Sequence, residues 1–167
     1  MPSKATRSAR RCRASWVGHP DDFALSGNVK SSPAVLSGFP VVVADDSLVV
    51  RLALKAPQTG GLVRMAVYAS TPDGGPGRLV TQSPAAQVES GRNEYAAQLA
   101  DPLRAGTYWL MAVYDSPTLI GYSDGPEDWV EFCYFSLEFS TSFPDPFPLT
   151  AAYFDAGPLN YYLVVGN

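Results

Sequence analysis

Residues 107–114, Thr-Tyr-Trp-Leu-Met-Ala-Val-Tyr, identify the fold class more directly than any other stretch of this sequence. Aromatic, β-branched and aliphatic residues fill the stretch, and such residues suit a pleated, largely buried strand. Successive side chains of a strand point to opposite faces, so Trp109 points one way while Tyr108 and Tyr114 point the other. The stretch therefore predicts a strand that carries aromatic rings on both of its faces.

Similar short runs flank this strand on both sides, and turn-forming residues separate them. The runs are residues 41–43, 48–54, 62–69, 79–81, 119–122, 129–139 and 160–165. No window shows a sustained helical period with caps. Many short strands between turns are typical of a sandwich, barrel or jelly roll. We predict an all-β, antiparallel, jelly-roll-like β-sandwich of eight or nine strands, with the last run in a central position because both of its faces are apolar.

The composition agrees with this fold class. The chain has 14 glycines, 15 prolines and 12% aromatic residues, and only 17% of its residues are charged, against about 25% in an average domain. Its 167 residues, 46% of them hydrophobic, suffice for one folded domain with a real core. No apolar run approaches the ~20 residues that cross a bilayer, so we expect no membrane span.

The charge is distributed unevenly between the start of the chain and the rest. The first thirteen residues contain no acid and five bases: Lys4, Arg7, Arg10, Arg11 and Arg13. The remaining residues carry 7 basic and 16 acidic side chains. We predict a basic, disordered N-terminal arm over residues 1–22 and one β-sandwich domain over residues 23–167. The arm is either a solvated tail or a contact for nucleic acid or another anionic surface.

The start of the chain lacks a recognisable export signal, and the cysteines suggest no disulfide. Residues 1–20 have a basic beginning but no apolar stretch of the kind that signal peptides contain. Cys12 lies in the predicted arm and Cys133 in an apolar run. Mobile tails seldom hold disulfide geometry, so we predict two free thiols, with Cys133 buried.

Catalytic chemistry finds little support among the residue types. The single histidine, His19, leaves no proton shuttle for a Ser-His or Cys-His site in the predicted domain. Glu131 and Glu138 are separated by an odd number of residues, so a regular strand places them on opposite faces. We expect no enzyme, although another carboxylate pair, such as Glu94 with Glu131, leaves a hydrolase open.

Cofactor sites are also few in the sequence. Three Cys and His residues in total are too few for a structural zinc site. Four acidic residues lie around two predicted turns, where calcium could find oxygen ligands: Asp115, Asp124, Glu127 and Asp128. They lack EF-hand spacing, so we expect solvated turn acids and no cofactor, with a loop calcium ion as the alternative.

The aromatic residues are the strongest functional signal. A strand of a sandwich buries one face, so strands with rings on both faces should expose some of them. Exposed rings stack on sugars or anchor a protein partner. The candidate ligand-binding residues are Trp109, Tyr114, Asp115, Tyr122, Trp129 and Tyr134. The alternative is that loops cover the second face and every ring belongs to the core.

Two segments resemble a known kind of module. Residues 76–80, Pro-Gly-Arg-Leu-Val, follow a strand that ends in Val67-Tyr68, and residues 104–115 read Arg-Ala-Gly-Thr-Tyr-Trp-Leu-Met-Ala-Val-Tyr-Asp. Together with the closing run 160–165, they resemble jelly-roll-like modules of secreted and cell-surface bacterial proteins. The resemblance implies an accessory, adhesive or ligand-binding role and an extracellular or cell-surface location. It implies no catalytic residues.

Two functions remain as expectations from the sequence. The first is a non-catalytic binding or adhesion module that recognises a glycan or a protein surface. The second is a self-assembling structural subunit, a homo-oligomer whose basic arm at residues 1–13 contacts nucleic acid or a neighbouring subunit.

Overall fold

The structure is a computed structural model that describes residues 14–23, 26–97, 99–123, 125 and 130–166, with only the backbone described at 26, 49 and 50. The described residues form strands and one short 3-10 turn, Leu149–Ala151. The strands are β1 (Ser15–Gly18), β2 (Ser26–Lys30), β3 (Val35–Val43), β4 (Leu48–Ala56), β5 (Leu62–Ser70), β6 (Pro76–Gln82), β7 (Ala86–Gln87), β8 (Gly91–Ala96), β9 (Gly106–Tyr114), β10 (Leu119–Ser123), β11 (Glu131–Ser136), β12 (Tyr153–Ala156) and β13 (Tyr161–Gly166).

These strands form two main sheets and a two-stranded ribbon, and every strand pair is antiparallel. The larger sheet has the order β12-β11-β3-β9-β5-β6, with β7 also paired to β5. The smaller sheet has the order β1-β13-β4-β8, and the ribbon pairs β10 with β2. The protein is therefore an all-β antiparallel sandwich, which confirms the fold class predicted from the sequence.

The strand predicted from residues 107–114 is β9, and it lies in the middle of the larger sheet between β3 and β5. Tyr108 and Tyr114 point into the core between the sheets, and Trp109 points to the outer face of the larger sheet. A Cβ at Gly38 of β3 would lie 1.9 Å from the carbonyl oxygen of Leu110. Glycine at this position therefore permits the close approach of β3 to β9.

The main core fills the space between the two sheets. Leu52 and Leu163 of the smaller sheet pack there with Met65 and Leu110 of the larger sheet, and all four are fully buried. Alternation along each strand supplies these side chains, because every second residue faces inward. Burial of such side chains is the main favourable contribution to folding.

The outer face of the larger sheet is buried as well, because the connection between β11 and β12 covers it. Leu137, Phe143 and Phe147 of that connection pack over the outward side chains of the sheet, which include Trp109 and Met111. The structure thus shows the arrangement that the sequence left as an alternative, in which a loop makes the second face part of a core.

The folded region begins earlier than we expected. The sequence assigned residues 1–22 to the arm, but Ser15–Gly18 forms β1 and pairs with β13. The ring of Trp16 meets the ring of Tyr162 edge to face at 6.1 Å, and the guanidinium carbon of Arg92 lies 4.3 Å from the centre of the Trp16 ring. These contacts form only between distant segments, so local sequence gave no signal for β1. Residues 1–13 lie outside the described part of the chain.

The closing and aromatic runs also have definite places. β13 lies between β1 and β4, which confirms the central position predicted for the last strand. The run predicted as one strand over residues 129–139 contains the shorter β11, and Trp129 lies outside the described residues. Cys133 of β11 is a free, buried thiol, as expected. None of the helical segments described is long and apolar enough to cross a membrane.

Candidate functional site

A groove of about 260 Å³ opens between the ribbon and the inner face of the larger sheet. Its walls are mainly apolar, and the side chains that form them are Val29, Val35, Ile120, Phe132, Tyr134 and Leu159. Pockets that bind ligands are commonly concave, mostly apolar and supplied with a few polar groups. The groove therefore has the general character of a ligand site.

The groove exists because the ribbon continues the layer of the smaller sheet without covering the edge of the larger one. The backbone N–H of Asn160, just before β13, donates to the carbonyl oxygen of Gly121 in β10 at 2.9 Å. Ile120 of the same strand packs in the core between the sheets. The ribbon thus faces the inner side of β11, and the groove runs between them.

Aromatic rings form the wall on the side of the larger sheet. Phe132 and Tyr134 of β11 lie on one face, with ring centres 6.2 Å apart. Tyr153 of β12 is the register partner of Tyr134, and the two rings stack at 5.3 Å with an angle of 18°. Tyr153 is 63% exposed. A continuous aromatic surface therefore leads from the groove to the edge of the sheet.

The floor of the groove carries hydroxyl groups. Tyr161 and Ser37 both line the groove. Tyr114, buried behind them, donates a hydrogen bond to the Tyr161 oxygen at 2.9 Å. Burial raises the pKa of both tyrosines above the ordinary value of 10.0, because the phenolate form would lose its hydration. These phenols remain neutral and can offer hydrogen bonds rather than act as bases.

Lys30 of β2 is the one charged residue among those that line the groove. Its ammonium forms no ion pair with any residue that the structure describes. Asp155 of β12 is the register partner of Phe132, so the two side chains are neighbours on one face of the larger sheet. Its carboxylate accepts a hydrogen bond from the backbone N–H of Ala156 at 2.8 Å.

Two of the residues predicted from sequence lie at or beside this groove. Tyr134 lines it directly. Tyr122 is on the same face of β10 as Ile120, since the two are separated by one residue, and it packs partly against the core. The Tyr122 ring lies against Gly27 of β2, because a Cβ at position 27 would come within 2.7 Å of Cε1 of that ring. Glycine at position 27 makes room for that ring.

Three other predicted residues hold the fold together, and the two aromatic rings among them are not exposed to solvent. Trp109 is fully buried, and its Nε1–H donates to the carbonyl oxygen of Gly74 at 2.9 Å. Tyr114 is fully buried in the main core. The Asp115 carboxylate accepts hydrogen bonds from the Leu62 N–H and the Ser116 hydroxyl, each at 2.8 Å. The prediction that some aromatic rings of these strands are exposed therefore does not hold for Trp109 and Tyr114, which belong to the core.

The remaining sequence candidates lie outside the described residues. They are Trp129, together with three of the four acidic residues considered for calcium, Asp124, Glu127 and Asp128. Among the residues that the structure does describe, no three His, Cys, Asp or Glu side chains are arranged to hold a metal ion.

Sequence reasoning missed several residues of the groove. β2 has the sequence Ser-Gly-Asn-Val-Lys and β12 has Tyr-Phe-Asp-Ala, and neither shows the alternation that predicts a strand. Val29, Lys30 and Tyr153 were therefore not considered as site residues. The adjacent rings of Tyr153 and Phe154 after a proline-rich connection were the one available signal.

Comparison with known proteins does not name a family. The chain matches no protein-family model and no curated protein.

Proposed function

We propose that this protein is a non-catalytic binding or adhesion module and that the groove between the ribbon and β11 holds its ligand. The observation that carries the proposal is the aromatic surface of Phe132, Tyr134 and Tyr153, which continues from the groove to an exposed ring. Aromatic rings left exposed beside a concave apolar site are common anchors for sugars and protein partners.

The chemistry of the lining supports binding rather than turnover. None of the described lining residues carries a carboxylate or an imidazole. The titratable groups of the lining residues are the Lys30 ammonium and the phenols of Tyr134 and Tyr161, and burial raises the pKa of Tyr161. General acid–base catalysis needs a group with a pKa near the working pH, and Tyr161 is shifted away from that range. The resemblance of residues 76–80 and 104–115 to modules of bacterial surface proteins supports the same role.

The test uses two neighbouring aromatic residues that face opposite sides of the sheet. Tyr153 stacks on Tyr134 at the groove. Phe154 is 44% exposed and lies on the outer face, where the centre of its ring is 6.2 Å from the centre of the Trp109 ring. Binding of the wild type to defined glycans and to a library of random peptides is measured, and the best ligand is retested with Tyr153→Ala and Phe154→Ala.

Tyr153→Ala should weaken binding about tenfold, because an aromatic contact of this kind contributes up to about 1.5 kcal/mol. Phe154→Ala should bind as the wild type does. Equal affinity for both variants and the wild type, or no ligand in either library, would contradict a binding site at the groove.

A further inference from the structure

The outer edge of β2 borders the groove, and its backbone groups follow a fixed alternation. The N–H of Ser31, just after β2, donates to the carbonyl oxygen of Thr118 at 2.8 Å. Lys30 pairs with Leu119 and Val29 with Ile120, so Ser31 continues the same register opposite Thr118. In an antiparallel ladder, hydrogen-bonded pairs alternate with non-hydrogen-bonded pairs. Lys30 and Asn28 are therefore non-hydrogen-bonded, and their N–H and C=O groups point away from β10.

Among the described strands, none lies beside these outward groups. β2 pairs with β10 alone in the described part of the chain. Residues Val29, Lys30, Ser31 and Ser32 all line the groove, so its wall on this side is the free edge of the ribbon. An unpaired strand edge is a template that pairs readily with another extended chain.

We propose that the groove binds an extended segment of a partner polypeptide, which adds to β2 as a third strand of the ribbon. This inference rests on the proposed function and names the partner class for the same site. Strand addition of this kind takes affinity from main-chain hydrogen bonds and specificity from pockets that receive alternate side chains.

The side-chain pattern of the partner follows from the two faces of the ribbon. Val29 and Ile120 are cross-strand neighbours on the face that lines the groove. Alternate side chains of an added strand would enter the groove beside them and meet Phe132 and Tyr134. These positions favour apolar residues, because the inner wall is apolar and Asp155, the neighbour of Phe132 on the same face, disfavours an acid there.

The charge on the other face specifies a second feature of the partner. Lys30 alternates with Val29, so its side chain leaves the ribbon on the opposite, outer face. Lys30 is exposed and forms no ion pair among the described residues. An opposite charge directly across a strand pair is stabilising and a like charge is destabilising. The partner should therefore carry a carboxylate at the position that faces Lys30.

A polypeptide fits these features better than a glycan or the protein's own N-terminal segment. A sugar can stack on Tyr153, but it does not match a row of N–H and C=O groups that repeats every two residues. Residues 1–13 lack apolar side chains at alternate positions and bring five cations toward Lys30. A partner chain with apolar alternation and an acidic residue satisfies the groove, the free edge and the charge together.

The first experiment selects ligands from random linear peptides of about ten residues, which is long enough to pair with the five residues of β2. The selected peptide is synthesised, and amide hydrogen exchange of the protein is compared with and without it. The backbone amides of Asn28 and Lys30 should gain protection, because the added strand takes up those N–H groups. Selected sequences should alternate apolar residues and contain an acid.

The second experiment removes single hydrogen bonds from each partner. Lys30→Pro deletes an outward N–H that β10 does not use, and proline is tolerated on a free strand edge. Lys30→Ala is the matched control that loses the charge and keeps the N–H. Lys30→Pro should lower the affinity for the peptide by about tenfold relative to Lys30→Ala. If Lys30→Pro does not fold, the hydrogen bonds are removed from the peptide instead, by N-methylation of its amides one at a time. Methylation of the amides that face β2 should weaken binding, and methylation of the alternate amides should leave the affinity unchanged.

The outcomes separate this inference from the proposed function. A selected peptide whose binding depends on Tyr153 but leaves the Asn28 and Lys30 amides unprotected would overturn strand addition. A glycan that binds through Tyr153 while no peptide is selected would also overturn it, and in both cases the groove would stand as a binding site. Ligands that are indifferent to Tyr153→Ala would overturn the proposed site and this inference together.

Discussion

The hydroxyl of Tyr114 in β9 donates a hydrogen bond to the hydroxyl of Tyr161 in β13 at 2.9 Å, across the core between the two sheets. Both side chains are fully buried. Tyr161 also lines the groove, together with Ser37. One polar chain therefore links the larger sheet, the smaller sheet and the floor of the candidate ligand site.

The tyrosine pair should behave as a coupled unit in unfolding experiments. Tyr161→Phe removes the acceptor of the buried Tyr114 hydroxyl, so it should lower the free energy of unfolding by about 1–3 kcal/mol. Tyr114→Phe leaves the Tyr161 side chain at the polar floor of the groove with Ser37 and should cost about 1 kcal/mol. The double variant should cost less than the sum, because it leaves no unpartnered phenol. Urea unfolding of the four proteins measures this coupling, and strict additivity would show that the hydroxyls do not interact.

Stability should fall in alkaline solution. Burial raises the pKa of Tyr114 and Tyr161 above the ordinary value of 10.0, so the folded protein holds these protons when the unfolded chain has lost them. The stabilising contribution is complete below pH 10 and decreases as the pH rises above it. The free energy of unfolding, measured at increasing pH above 10, should drop less steeply in Tyr114→Phe/Tyr161→Phe than in the wild type. Identical slopes would mean that neither phenol is protected in the folded state.

Trp109 should contribute far more to stability than Trp16. Trp109 is fully buried and bonded to the Gly74 carbonyl, whereas Trp16 is 46% exposed. Trp109→Ala should lower the free energy of unfolding by about 3–5 kcal/mol, since it leaves a cavity and an unpartnered carbonyl. Trp16→Ala is the control and should cost about 1 kcal/mol or less, as is usual for a partly exposed side chain. Chemical denaturation compares the two, and a similar cost for both would show that Trp109 is not a core residue.

Arg64 should hold the connection between β11 and β12 against the outer face of the larger sheet. Its guanidinium donates to the carbonyl oxygens of Phe139 and Thr141, and its carbon lies 4.4 Å from the centre of the Phe143 ring. Desolvation lowers the pKa of Arg64, but the group stays charged at neutral pH. Arg64→Ala should therefore expose the connection to protease and lower the free energy of unfolding by about 1–3 kcal/mol.

Arg78→Ala supplies the control for that experiment. Arg78 is exposed on β6 and forms no ion pair among the described residues. Limited proteolysis should cut the connection faster in Arg64→Ala than in Arg78→Ala. Equal cleavage rates would show that Arg64 does not anchor the connection.

The strands that sequence predicted well are those whose own residues are apolar, either at alternate positions or along the whole strand. β4, β5, β9 and β13 form the centres of the sheets, where burial on one or both faces imposes a pattern on the sequence. β1, β2 and β12 show no such pattern and were missed. Each is stabilised by pairing with a distant strand, as Ser15 is with Val165 and Tyr153 with Tyr134.

The candidate site shows the same division. Tyr134 was found because it belongs to an aromatic run, and Trp109 was selected for the same reason although it is buried. Local pattern states which residues are apolar and which face of a strand they share. It does not state whether a loop or solvent covers that face. Leu137, Phe143 and Phe147 cover the outer face at Trp109, and no local feature of residues 107–114 could reveal it.

The sequence by itself determined that this chain is an all-β antiparallel sandwich, because hydrophobic patterning and turn residues act through neighbouring positions. The groove, the free edge of β2 and the burial of Trp109 were settled only by tertiary structure. They depend on how far each layer of the sandwich extends and on which distant segment covers each face, and these are properties of packing between residues that are remote in the chain.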